Sequence, residues 1–414
     1  MSVHMQKSSS GLFLHCHELL RGIFTPILRH LEKEAADPAK VLRLSIRLSA
    51  LGVLISLVQS HDLWFQDNRL FLPSPLAAWT AAASPGVNLW LYAAMMSLCG
   101  ALFLFPRCRR AGILVVPLYV FFCLQDQIRM QFYLDIFVFN LFVVALIPEK
   151  TDDAHLDPLR YMTMCVYFWG GFYKLNPFFS MVMFPWFVGT WFPYTQAAQV
   201  TGGFVPLLEM SIGICLLMPQ TRKIGQVLAF CMLVVVLLSL GPFGRNISPQ
   251  VWPSNIYLDS MATFLFLGNT RVFFDARAVK KPLSMLAVFC FGLLPVLGMT
   301  GTLGNHPALK LYCCGDYGEI EFSPRENLAF LPEDMQLGIR PGNRLMTSSL
   351  VVPPLHVSPY LVFSTPDHPY LAGARGICPY LSRPDEARLH VFQPVHFWSA
   401  EMSEKVYNLC GKGP

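Results

Sequence analysis

The residues best suited to chemistry lie in the stretch 166–177, which reads VYFWGGFYKLNP. On a helix, Tyr167, Gly170, Gly171 and Lys174 fall at positions i, i+3, i+4 and i+7, which share one face. The two glycines would allow a neighbouring helix to approach closely. This spacing predicts a helix face that combines close packing with one ionisable amine.

Lys174 has two interpretations. Near the end of an apolar segment, a lysine usually directs its ammonium group to the lipid headgroups. Alternatively, desolvation in a dry cavity leaves the amine neutral and able to accept a proton as a general base. The segment 178–194 favours the second interpretation, because it is rich in aromatic residues and contains no Lys or Arg. We call this segment the aromatic cover, since it could fold over the amine and exclude water.

The composition places this helix face in a membrane. Of the 414 residues, 54% are hydrophobic and 14% are charged, whereas about 25% are charged in an ordinary soluble domain. The mean hydropathy is +0.44. Apolar segments, most of them near the ~20 residues that cross a bilayer, occur at nine places. They are 42–60, 87–105, 111–125, 132–148, 159–176, 202–219, 224–241, 251–268 and 282–299. We therefore predict an all-α polytopic membrane helix bundle of about nine transmembrane helices over residues 41–299.

Two parts of this pattern are irregular. The third segment is short and continues into the polar stretch 125–131, so the third and fourth segments are expected to form a broken pair inside the bundle. Residues 11–34 alternate apolar and charged residues at helical spacing. They fit either an interfacial helix or a soluble N-terminal helix, within a cytoplasmic segment 1–40 that contains no evident cleavable signal peptide.

Polar residues inside the apolar segments are expected to face the bundle interior, because a charge that faces lipid costs about 3 kcal/mol. They are Asp135, Asn140, Glu209, Asn255 and Asp259. A carboxylate from this set beside Lys174 would keep the amine charged, whereas apolar surroundings would neutralise it.

The distribution of positive charge predicts the orientation. If the N-terminus lies inside, the inner loops hold eighteen Lys and Arg residues, and the outer loops hold only Arg69, Arg129 and Arg245. These short clusters are typical of cytoplasmic loops rather than of a nucleic-acid surface. With nine crossings the C-terminus lies outside, in the periplasm of a bacterial inner-membrane protein or in the lumen of the endoplasmic reticulum.

The outer region, residues 300–414, is predicted to be a small, loop-rich, mostly β domain, with β-prone pieces at 350–352 and 360–363. Its even number of cysteines makes one or two disulfides plausible, and the sequence leaves their pairing open. The cysteines are Cys313, Cys314, Cys378 and Cys410. No metal is expected, because the spacing from His390 to His396 is not a metal-ligand spacing.

The stretch 166–176 resembles the Tyr-Phe-x-x-Gly-x-x-Lys-Leu-Asx motif of vitamin K-dependent γ-carboxylases and their bacterial relatives, the HTTM (horizontally transferred transmembrane) domain proteins. The resemblance covers about residues 40–270, including 205–209 and the helix that begins near Gly225. It implies a cavity for a quinone or vitamin K-like quinol, with Lys174 as the base that deprotonates the quinol. The residues expected to contact this cofactor are Tyr167, Gly170, Gly171, Asn176 and Glu209.

The chain departs from the carboxylases in two ways. Gln131, Phe132 and Tyr133 stand where the carboxylases have an Asn-Asn-His cluster, and only about 115 residues replace the long lumenal region that grips their propeptide substrates. Two functions follow. One is quinol-dependent chemistry, carboxylation or a related proton abstraction. The other is a non-enzymatic accessory for maturation, export or immunity of a secreted peptide, in which the outer domain binds the partner. A transporter is disfavoured, because no pair of broken helices occurs in corresponding halves.

Overall fold

The structure is a computed structural model, and the fold is described for two sets of residues. The first set comprises 26, 29–64, 85–126, 129–148, 150–244, 251–269, 271–272 and 281–299. The second comprises 317–322, 339–340, 344–346, 378, 387–394, 399, 401–408 and 410. Residues 29–35 are helical, and the rest of the expected N-terminal helix, apart from Pro26, lies outside the described residues.

Helices form at all nine predicted apolar segments, and a further helix forms in the aromatic cover. They are α1 (Pro38–Gln59), α2 (Pro85–Leu104), α3 (Gly112–Gln125), α4 (Phe132–Leu146), α5 (Asp157–Lys174), α6 (Phe179–Val188), α7 (Thr195–Leu217), α8 (Arg222–Ser239), α9 (Val251–Phe266) and α10 (Pro282–Met299). The first turn of α6 and the middle of α10 are π-helical. Short 3-10 turns precede α3 and α5.

Six of these helices are long and apolar enough to cross a membrane, which identifies the chain as a multi-pass membrane protein. They are α1, α2, α3 with the turn before it, α7, α8 and α10. Helices α4 and α9 have 15 and 16 residues, so each is about 22–24 Å long, short of the ~30 Å of hydrocarbon. Helix α5 has Asp157, Arg160 and Lys174 at its ends. The count of nine crossings and the orientation therefore stay predictions.

The start of α1 illustrates how local sequence sets a helix boundary. Asp37 accepts hydrogen bonds from the backbone N–H groups of Ala39 (3.0 Å) and Lys40 (3.4 Å), and Pro38 occupies the first turn. Both features are favourable at a helix N-terminus. Helix α1 then packs against α2, α4 and α9 and forms one side of the main hydrophobic core.

Buried polar groups connect the helices of this core, as expected for Asn140. Its side chain donates to the Ser45 hydroxyl (2.8 Å) and to Ser49, which in turn donates to Tyr257 (3.3 Å). These contacts join α1, α4 and α9 without leaving the Asn140 amide unsatisfied.

The expected broken pair is confirmed: α3 ends at Gln125, α4 begins at Phe132, and the two helices pack against each other. Tyr119 donates to Asp135 at 2.7 Å across this pair. Arg129, assigned to an outer loop by sequence, is fully buried, and its guanidinium lies 5.7 Å from the ring of Trp64 and 5.2 Å from that of Phe122. At this break Gln125, Asp126 and Arg129 are therefore covered by protein, as irregular backbone at membrane depth requires.

The C-terminal region contains a five-stranded antiparallel sheet, which confirms its predicted β character. The strands are β1 (Tyr317–Phe322), β2 (Ile339–Arg340), β3 (Arg344–Met346), β4 (Ala387–Pro394) and β5 (Met402–Asn408), in the order β2-β3-β1-β4-β5. The strands expected at 350–352 and 360–363 lie outside the described residues.

The sequence leaves the pairing of the four cysteines open, and the structure pairs Cys378 with Cys410. Cys410 follows β5, whose Asn408 lies opposite Arg388 of β4. Cys313 and Cys314 lie outside the described residues.

Candidate functional site

Helix α5 carries the predicted helix face. Pro158 in its first turn favours helix initiation, and the helix ends at Lys174, three residues before Pro177. Tyr167, Gly170 and Lys174 all line one cavity, which confirms that these residues share a face.

The glycines of α5 allow very close contact with α7. A Cβ atom at Gly171 would lie 2.5 Å from the carbonyl oxygen of Pro206 and 2.6 Å from the backbone nitrogen of Met210. On the other side of this crossing, a Cβ atom at Gly213 would lie 2.7 Å from the carbonyl oxygen of Met164. Residues larger than glycine would hold the helices apart, so these positions fix their separation.

This close approach places Glu209 of α7 against Lys174. The ammonium nitrogen of Lys174 lies 2.6 Å from Oε2 of Glu209, and the two side chains are 12% and 14% exposed. Gly170 leaves room for the carboxylate, since a Cβ there would lie 2.8 Å from Oε1. Of the two sequence-based environments for Lys174, the structure contains the one with a neighbouring carboxylate. Removing either partner would leave a poorly solvated charge.

The cavity beside this pair is partly open to its surroundings. Its walls are mainly apolar and come from α4 to α9; the aromatic cover contributes Phe179, Phe184 and Phe187. A mainly apolar lining with a few polar groups is typical of a small-molecule site.

The polar part of the wall is small. Besides the ion pair it includes Tyr167 and Asn255. The Asn255 amide nitrogen donates to the Val251 carbonyl at 2.8 Å, which leaves its Oδ1 as an acceptor at the cavity. Within the described part of the chain, the Tyr167 hydroxyl has no hydrogen-bond partner. The site can therefore accept and donate hydrogen bonds beside a charged pair.

Asn176 occupies a different position from the one the resemblance implies. Its amide nitrogen donates to the Tyr173 carbonyl (2.7 Å), and its Oδ1 accepts from the backbone nitrogen of Phe179 (2.9 Å). It caps the junction between α5 and α6 and is not one of the cavity-lining residues.

Sequence reasoning missed an ion-pair network at the opposite end of α5, which we call the ion-pair clamp. Arg160 is 2% exposed and contacts Asp153 and Asp157 (2.9 Å), and Arg271 contacts the same two carboxylates. The spacing Asp153, Asp157, Arg160 places all three on one side of a helical turn, which is the signal the sequence offered.

The clamp also joins three cavity helices. Asn269, after α9, donates to Asp153 (3.1 Å), and Arg222 at the start of α8 donates to the Asn269 carbonyl (2.7 Å). Burial alone would raise the pKa of Asp153, but the hydrogen bond and charge of Arg160 outweigh it and hold the pKa below its usual value. The clamp therefore ties α5, α8 and α9 together about 21 Å along α5 from Lys174.

The other intramembrane polar residues are not at the pair. Asp135 contacts Tyr119, and Asn140 lies in the α1–α4–α9 network. Asp259 has a buried Oδ1 with no partner among the residues that the structure describes. Of the expected carboxylate partners, Glu209 is the one that pairs with Lys174.

His390 lies in the C-terminal sheet, between Glu321 (2.8 Å) and Glu404 (2.6 Å).

Fold and site together define a multi-pass membrane protein with a mainly apolar cavity that is lined by an ion pair. Comparison of the chain with protein-family models, with curated proteins and with solved structures found no match.

Proposed function

We propose that the protein is a quinol-dependent membrane enzyme with a carboxylase-like helical core of the HTTM type, and that Lys174 and Glu209 form its proton acceptor. The observation that carries the proposal is the position of Lys174. Its amine lies at a mainly apolar cavity, paired with a carboxylate, rather than among exposed groups.

The cavity fits a reduced quinone in three respects. Its apolar wall, with Phe179, Phe184 and Phe187, suits a flat ring and an apolar tail. Tyr167 can donate to a ring oxygen, and Asn255 Oδ1 can accept from a hydroxyl. When bound, a quinol would supply a phenolic hydroxyl whose proton the Lys174 amine can take.

The paired residues divide the work. Glu209 holds the ammonium of Lys174 in place at 2.6 Å. Transfer of one ammonium proton to the Glu209 carboxylate leaves a neutral Lys174 amine, which can take the proton of a ligand hydroxyl, and the apolar cover keeps water from competing for it. Gly170 matters because it leaves room for the carboxylate.

The ion pair also favours a second candidate, a non-enzymatic accessory for a secreted peptide. A buried lysine neutralised by one carboxylate satisfies a structural role in helix packing, and the C-terminal sheet would then bind the partner. The two candidates differ in what Lys174 must do, since a structural cation need not lose its proton.

The test compares Lys174→Arg and Lys174→Ala with the unmodified protein in detergent. Bound quinone is identified in a solvent extract of the purified protein, and oxidation of added reduced naphthoquinone by dissolved oxygen is followed by chromatography. We expect both variants to lose turnover while inserting normally, because a guanidinium stays protonated and cannot act as a base. Full turnover in Lys174→Arg, or no turnover in the unmodified protein, would refute the proposal.

A further inference from the structure

The cavity lies between two separate hydrophobic clusters. One side of its wall includes Tyr167 and Leu258 of the main core, whereas the other side includes Phe184 and Phe187 of a second cluster. This second cluster joins the aromatic cover to Ala198 of α7 and to residues at the near ends of α8 and α9. Side chains that line a cavity lack packing partners on that side, so the two clusters make fewer stabilising contacts where the cavity separates them.

The second cluster is bounded by two breaks in regular helix. At one end, α5 stops before Pro177, and α6 begins with the π-helical turn Phe179–Met183. At the other end, Pro206 lies inside α7 and cannot donate a hydrogen bond to the preceding turn. Such positions are where helices bend.

The opposite end of the cavity helices is held by the ion-pair clamp. Its charged contacts join α5, α8 and α9, and Arg160 also donates to the Leu265 carbonyl at 2.9 Å. By contrast, among the hydrogen bonds of the described residues, the one that links the cover to α8 is neutral and runs from Trp191 Nε1 to the Ser239 hydroxyl at 3.4 Å. Charge-assisted bonds are about twice as strong as neutral ones.

We propose that the aromatic cover and the first half of α7, residues 178–205, form a gate over the cavity. The gate moves away from the cavity by bending at its two helix breaks. The ion-pair clamp meanwhile holds α5, α8 and α9 together at their opposite ends. The gate rests on the proposed function, because it is the route by which a ligand would reach that site. Its test measures access to the cavity directly and does not depend on enzymatic activity.

The experiment places a thiol in the cavity with Ser254→Cys, because Ser254 lines the cavity and is 3% exposed. The full chain in detergent is treated with N-ethylmaleimide, and modification of residue 254 is followed by peptide mass spectrometry. The native, exposed Cys108 serves as the internal reference for reagent reactivity. Val235→Cys, also at the cavity, is a second reporter in case the first does not fold.

Three further substitutions test separately the cover end and the clamp end of the cavity helices. Trp191→Phe keeps the ring but removes the donor to Ser239, and Ser239→Ala removes the acceptor. Arg271→Gln weakens the clamp, and Trp90→Phe, at an exposed position on α2, is the matched control. We expect Trp191→Phe and Ser239→Ala to speed labelling of the cavity thiol roughly two- to tenfold, the shift that losing one hydrogen bond gives to an opening equilibrium.

The control and Arg271→Gln should leave the ratio of cavity labelling to Cys108 labelling unchanged. Acceleration by Arg271→Gln equal to that of Trp191→Phe, or no acceleration by either cover variant, would overturn the gate. Neither result would bear on whether Lys174 accepts a proton, so the two proposals fail separately.

Discussion

Replacing Gly171 with alanine tests the claim that glycine sets the distance between α5 and α7. The new Cβ would lie 2.5 Å from the Pro206 carbonyl oxygen and 2.6 Å from the Met210 nitrogen. Both are backbone atoms, so no side-chain rotation can relieve the contact. To reach ordinary contact near 3.4 Å, the helices must separate locally by about 0.9 Å, which is an overpacking strain.

The expected magnitude follows from two opposing terms. Overpacking costs about 1–3 kcal/mol, and rigid backbone neighbours place this site near the upper end. Alanine returns about 1 kcal/mol through its higher helix propensity, so the net destabilisation is about 2 kcal/mol. Gly203→Ala, on the partner helix α7, is the matched control, because its Cβ would meet nothing within 4 Å.

Thermal unfolding of both variants in the same detergent measures the difference. We expect Gly171→Ala to melt several degrees below the unmodified protein, and Gly203→Ala to melt at the same temperature or slightly above it. Equal melting temperatures for the two variants would mean that the α5–α7 contact is looser than the structure shows.

Three further predictions follow from the fold. The contacts that lower the pKa of Asp153 stabilise the fold above the unfolded pKa of about 3.9, and this stability is lost as the pH falls through the folded pKa. Asp153→Asn should therefore reduce the loss of thermal stability in acid. An unchanged dependence of the melting temperature on pH would contradict this prediction. Cys378→Ser should destabilise the C-terminal sheet by about 4 kcal/mol in the chain-entropy model, because it opens a loop with a sequence separation of 32; limited proteolysis that shows equal resistance with and without the disulfide would count against it. Reporters fused after Pro414 and inserted near Asp153 should appear on the outer and inner faces, respectively, and finding both on one side would refute the nine-crossing topology.

Sequence predicted helix positions well because long apolar runs are local information. Observed helix ends differ from the predicted ones where contacts outside the apolar run extend the helix. Helix α7 begins at Thr195, seven residues before the apolar run at 202, because its first turns pack against the cover. The number of crossings was harder to predict, since α4 and α9 are apolar but short, and the protein interior can bury such helices as well as lipid can.

The candidate site was predictable in part. The 3.6-residue period placed Tyr167, Gly170 and Lys174 on one face, and all three line the cavity. The role of Asn176 was not predictable, because its amide is used by backbone groups that become available only when α5 ends and α6 begins. The clamp was missed because Arg271 and Asp153 are 118 residues apart in sequence.

The pairing of Lys174 with Glu209 shows why the site and the helix packing cannot be separated. The two residues are 35 positions apart, and either could have faced another helix. Their 2.6 Å contact exists because Gly171 lets the backbone of α7 reach α5, and because Gly170 leaves space for the carboxylate. A shift of about 1 Å between the helices would open the pair beyond hydrogen-bond distance and strand both charges in a poorly solvated wall. The glycines that look like packing residues in the sequence are therefore also the residues that hold Lys174 beside Glu209.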